Sequence, residues 1–135
     1  MGKINWTIKQ WEPLDADRLI RNWLSYAESR SRSKAHFWAF CCLEDYVHHE
    51  PETAWPIILQ LVSKALDDHV LAFLAAGPLE NLIHSHGPEF IDRAVLEAKN
   101  DKRFRKCLRG VWGIDRMPAR VREKFENAVK GEPVW

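Results

Sequence analysis

Glu80, Asn81, His84 and His86 fall within seven consecutive residues, directly after a Gly77-Pro78 step. A carboxylate and an imidazole four residues apart share one face of a helix, so Glu80 and His84 could form an oriented acid–base pair. The competing reading is structural. With Gly77 as N-cap, Glu80 stands near the third helical position, where a carboxylate meets free backbone N–H groups and the positive helix end. Structural ion-pair networks imitate active sites, and the structural reading is the stronger. On it, Gly77-Pro78 makes a tight helix–helix corner, and Glu80 neutralises the helix start and reaches Arg109 or Arg105. His86 shares an apolar face with Leu79, Leu82 and Ile83, where a histidine is packed with one ring nitrogen hydrogen-bonded. Gly87 is expected as the residue that ends this helix.

Other chemistry is poorly supported. His84 and His86, two apart on a helix, splay their rings by roughly 200°. His48-His49 with Glu52 is a loose cluster. HExxH, CxxC and paired Cys/His spacings do not occur, so no metal and no cofactor is expected. There is neither a G-x-S-x-G elbow nor a G-x-x-x-x-G-K-[ST] loop. Cys41, Cys42 and Cys107 lie in apolar helical patterns and read as buried, reduced thiols of a cytoplasmic protein. The balance leans against an enzyme, and no catalytic residue is assigned.

Lys102, Arg103, Arg105, Lys106 and Arg109 form a basic face opposite Phe104, Cys107 and Leu108. Clustered cations release counterions from phosphates, which makes nucleic acid a candidate partner. Glu97, Asp101 and Asp115 dilute the patch, and a solvated face or one that docks an acidic protein is preferred. The formal net charge of +1 gives no overall field. It is uneven: residues 1–87 carry 8 basic and 11 acidic side chains, residues 88–135 carry 12 and 8. That polarity could orient a protein partner.

The elements that must hold these residues are helical. Residues 1–13 read as an extended or irregular arm, with Ile4, Trp6 and Ile8 alternating and Trp6 and Trp11 holding it down. Asp15 is the expected cap of a first helix with Leu19, Ile20, Trp23, Leu24 and Ala27 inward. After a polar break at 29–33, a second helix from Lys34 to His49 is apolar nearly all round and reads as central. A third begins near Thr53, with Trp55, Ile58, Leu59, Val62 and Leu66 inward. A short fourth, from Val70, closes at Gly77; a fifth runs from Pro78 to Gly87; Pro88 opens a sixth through Ala98. Asp101 caps a seventh and Pro118 starts a last helix that Gly131 stops. The expectation is an all-α, compact bundle of about seven to eight short helices, with HEAT-like antiparallel pairs as a candidate arrangement. It divides as a 1–13 arm, a single 14–131 domain and a 132–135 tail. Most of the seven tryptophans are expected inside, with Trp135 the exposed one and a candidate tail anchor. No run is long enough to span a membrane.

"AWPIILQLV", "LAFLAAGPLENLIHSHGPEFIDRA" and "DKRFRKCLRGVWG" together resemble a family of small bacterial proteins defined as a domain of unknown function. Its pattern is a tryptophan helix, then A-G-P-L-E-x-L-[IL]-x-x-H-G, then F-I-D, then a basic F-R-x-x-L segment leading to V-W. The resemblance covers roughly Trp38 to Phe125 and is most specific at residues 76–80 and 86–87. It implies a compact, bacterial, cytoplasmic all-helical domain and brings no established activity.

The preferred function is a protein-binding module of inhibitor, immunity or adaptor type. Its candidate contact residues are Glu80, Asn81, His84, Arg105, Lys106 and Arg109, with Gly77, Pro78, His86 and Gly87 as the structural joint. The alternatives are a small-ligand or enzymatic site around Glu80, His84 and Arg109, and nucleic-acid binding through residues 99–109. The partner is unidentified and the oligomeric state open.

Overall fold

The computed structural model describes residues 6–29 and 33–135, without the side chain of Trp6. The expectations for Ile4, for the Trp6 ring and for residues 30–32 of the polar break lie outside the described residues. All regular structure among the described residues is helical.

A single turn, α1 (Trp6–Lys9), opens the described chain, where an extended arm was expected. Asp15 caps α2 (Ala16–Glu28) by accepting the Arg18 N–H at 3.0 Å, which satisfies one of the free donors of the first turn. Leu19, Ile20, Trp23 and Ala27 are buried as their spacing requires. After a 3-10 turn at Lys34–His36 comes α3 (Phe37–His49). It buries Ala39, Cys42, Leu43, Tyr46 and Val47, yet it is not covered all round. Phe37 stays 43% exposed and stacks on Phe40 at 5.9 Å, so aromatic residues cover one another on the outer face.

The third helix starts earlier than expected. α4 (Pro51–Lys64) has Pro51 in its first turn, while Thr53 and Ala54 both donate to the Glu50 carbonyl. Pro56 therefore sits inside the helix, where it leaves the Glu52 carbonyl without its usual donor. Leu66, expected inward, lies beyond the end of α4 and is 75% exposed.

The main departure concerns residues 68–100. Three helices with a corner at Gly77-Pro78 and a stop at Gly87 were expected. Instead α5 (Asp68–Leu74), a π-helical turn (Ala75–Leu79) and α6 (Glu80–Asn100) follow without a break. Pro78 has no N–H to give, and the ladder absorbs this by widening: Glu80 N–H donates to the Ala75 carbonyl, five residues back. Gly77 is right-handed here, since the positive-φ glycines of the described chain are Gly113 and Gly131. Likewise Gly87 does not end a helix. The chain kinks at His86 (φ −134, ψ 25) ahead of Pro88 and continues. Gly87 is buried, and a Cβ there would stand 3.1 Å from Val121 Cγ1. Its role is close approach of two helices.

Asp101 caps α7 (Lys102–Arg109) through the Arg103 and Phe104 N–H groups, as its position indicated. A 3-10 turn (Ile114–Arg116) leads to α8 (Ala119–Val129), and Gly131, at φ 85, terminates it. α6 is the central strut, packed on α3, α7 and α8. Phe90, Phe104 and Phe125 from these elements are completely buried. Each contributes about 1.5–3 kcal/mol by leaving water. The tryptophans are less buried than expected: Trp23 is fully enclosed, Trp11, Trp38 and Trp55 are half-buried, and Trp112 and Trp135 are exposed.

Candidate functional site

α6 begins with Glu80 and places His84 one turn later. The two side chains do not engage each other as an acid–base pair. Glu80 Oε1 accepts the backbone N–H of Trp112 at 2.8 Å, and His84 Nε2 donates to the backbone carbonyl of the same residue at 2.8 Å. Both ends of one residue's main chain are thus gripped from one helix face. The next residue tightens the arrangement. Gly113 is left-handed at φ 78, and a Cβ there would collide with the Arg116 guanidinium and stand 3.0 Å from His84 Nε2. The Trp112 indole, held at its base, is 73% exposed.

The arginines expected beside Glu80 lie elsewhere. Arg109 Nε donates to the Glu132 carbonyl at 3.2 Å, and Arg105 donates to the Lys130 carbonyl at 3.1 Å and pairs with the Glu132 carboxylate at 3.3 Å. A Glu80–His84–Arg109 site is therefore not assembled. The reason is the path of the chain. It turns at Gly110 and Val111, which donate to Cys107 and Leu108, and so carries Trp112 over α6, while residues 130–135 return along α7.

Part of the basic face is likewise engaged within the chain, while Lys102 stays exposed. Lys106 pairs with Asp68 at 2.8 Å, and Arg103 donates to the Ala65 carbonyl. Trp135, expected exposed and a candidate tail anchor, is 42% exposed and donates its indole N–H to the Lys106 carbonyl at 2.8 Å.

Asn81 belongs to a different group, which the sequence reading missed. Its side-chain N–H donates to Glu44 Oε2 at 2.5 Å, and the other Glu44 oxygen is buried without a hydrogen-bond partner. Burial pushes the Glu44 carboxyl above the ordinary carboxylate range, with Asp45 adding to the rise and the Asn81 hydrogen bond partly offsetting it. His48 Nε2 stands 3.9 Å from Glu44, and Ser85 Oγ stands 3.4 Å from His48 Nδ1. His86 Nε2 donates to the His48 carbonyl at 3.2 Å. These are the residue types of a serine–histidine–carboxylate relay, but both of its links are longer than the reach proton transfer requires. The group fastens α3 to the kinked part of α6. Its signal was available: Glu44 and His48 are an acid and a histidine one turn apart.

Cys42 and Cys107 are buried and their thiols are pushed up to about 12, in both cases mainly by burial. Cys41, expected buried, is half-exposed because it lies on the outer side of α3; burial still raises its thiol, with Asp45 and Glu44 adding to the rise. Among the described residues no group of three or more His, Cys, Asp or Glu side chains could hold a metal ion, and no helix is long and apolar enough to cross a membrane.

Residues 26–132 match the model of a family described as "Family of unknown function (DUF6869)". No curated protein and no solved structure matches the chain.

Proposed function

We propose that the chain, which belongs to this family of unknown function, is a protein-binding module whose contact surface is centred on Trp112. The observation that carries the reading is the combination of exposure and anchorage at this residue. Trp112, 73% exposed, offers a large aromatic side chain with a polar N–H to a partner. Two hydrogen bonds to its backbone, from Glu80 and His84, hold the turn that bears it. A tryptophan on a rigid base is what dominates binding energy at interfaces, because little freedom remains to be lost on association. Glu80 and His84 are positioning residues on this account, and Asn81 contributes only to the joint between α3 and α6. The inhibitor, immunity and adaptor roles open to small helical proteins fit such a surface. Cys41, Cys42 and Cys107 are free thiols, which suits a reducing compartment such as a bacterial cytoplasm.

The test is affinity capture from a lysate of the source cells with wild type and Trp112→Ala side by side, each checked by thermal melting. We expect a protein retained by the wild type and lost from the variant at unchanged melting temperature. Equal retention by both, or no specific retention, contradicts the reading.

A further inference from the structure

We propose that the outer face of α7 docks an acidic partner segment bearing a glutamate and, three residues on, a tryptophan. In the isolated molecule residues 132–135 of this chain occupy that face. The inference goes beyond the Trp112 surface proposed above: it concerns a second face and stands on its own contacts.

Two anchors hold the resident segment. The Glu132 carboxylate lies 3.3 Å from Arg105 Nε, and the Glu132 carbonyl accepts from Arg109 at 3.2 Å. Three residues on, the Trp135 indole donates to the Lys106 carbonyl at 2.8 Å, with the Lys106 ammonium 5.2 Å from the ring centre. A Cβ on Gly110 would stand 2.9 Å from Ala75 Cβ and 3.3 Å from Trp135 Nε1, so the glycine sits tightly between the π-turn and the indole. Between the anchors, Val134 is 68% exposed and adds little burial.

This hold is weak. Partly exposed ion pairs contribute about 0–1 kcal/mol each, and an indole still 42% exposed gains only part of its transfer energy. Such a segment belongs to the low end of local stability and can be displaced. The face also exceeds what the segment covers. Beside Arg105 a cavity of about 300 Å³ opens, lined by Lys99, Asn127 and Lys130 over Val95 and Ala98. Its cations select an acidic occupant. A partner with a further carboxylate upstream of its glutamate reaches Lys99 and Lys130, which Glu132 does not, and so outcompetes the resident segment.

The probe is a fluorescein-labelled synthetic peptide, GEPVW, titrated by anisotropy into the full chain. A tethered segment competes at an effective concentration on the order of millimolar. Freeing the face by Glu132→Ala with Trp135→Ala should therefore tighten peptide binding by about ten-fold for an intrinsic Kd of about 0.1 mM. Adding Arg105→Glu should transfer the preference from GEPVW to the charge-reversed peptide GKPVW, and this gain of binding certifies that the variant is folded. Should that variant melt early, Arg109→Ala on the same background should weaken GEPVW instead. Equal affinity of the peptide for wild type and the freed face, or no exchange of preference, overturns the inference. So does a wild-type dimer that Glu132→Ala with Trp135→Ala abolishes, since the occupant is then a second copy's own segment. If the peptide fails while Trp112→Ala still loses its captured protein, only this inference falls. The opposite pattern removes the Trp112 surface and leaves this one standing.

Discussion

Glu80 and His84 direct their polar atoms to the backbone N–H and carbonyl of one residue, Trp112, and this decides what their substitution should do. Glu80→Ala removes the acceptor of the Trp112 N–H and should cost about 0.5–1.5 kcal/mol, measured by denaturant unfolding, together with much of the partner affinity. Glu80→Gln keeps an acceptor oxygen and should retain both. A general acid or base would be disabled equally by either change, so the pair of variants separates positioning from catalysis. Glu44 makes a pH-dependent prediction. Its raised pKa means that the folded state binds the proton more readily than the unfolded chain. The penalty of the buried charge is therefore absent below the ordinary carboxylate pKa, grows as pH rises and is complete above the raised value. Glu44→Gln keeps the Asn81 hydrogen bond without the charge. It should melt higher than wild type at pH 7, and the difference should vanish as pH falls below the ordinary carboxylate range. At this scale the candidates Glu80, Asn81 and His84 were legible as polar residues directly after the Gly77-Pro78 step. Their partners were not, because Trp112 and Glu44 lie 32 and 37 residues away in the chain.

The helices themselves were largely readable, for local reasons. Asp15 and Asp101 accept first-turn N–H groups, a signature carried by one residue and its immediate neighbours. Gly131 ends α8 through a positive φ. The failures at Pro78 and Gly87 share one cause: both were read as breaks where tertiary packing carried the helix through them. Pro56 stays inside α4, Pro78 is absorbed by a π-turn, and Gly87 sits in α6 because Val121 of α8 approaches it. Gly87→Ala must push a methyl to 3.1 Å from Val121 Cγ1, and should destabilise by about 1–3 kcal/mol. A helix-propensity argument predicts the opposite sign, since alanine is the better helix former. Thermal melting of this one variant distinguishes the two.

Across the whole molecule, sequence reasoning placed the apolar side chains well and the large aromatic ones poorly. Periodicity tells which face of a helix turns inward, and Leu19, Ile58, Ile91 and Phe125 follow it. Trp112 and Trp135 lie outside helices, where no period applies, and their exposure depends on how distant segments cross. The charge asymmetry was also visible, but its use within the chain, with Glu132 on Arg105 and Asp68 on Lys106, was not. What emerges is a rigid strut, α6, whose first turn fixes the loop carrying an exposed tryptophan, next to a basic helix already partnered by residues 130–135. The central claim is that this tryptophan is the main anchor for another protein. Calorimetric titration of the captured, purified partner into wild type and Trp112→Ala tests it most directly. The account predicts a loss of at least about 2 kcal/mol, roughly thirty-fold in Kd, with the variant's melting temperature unchanged. An affinity preserved within about three-fold would contradict it.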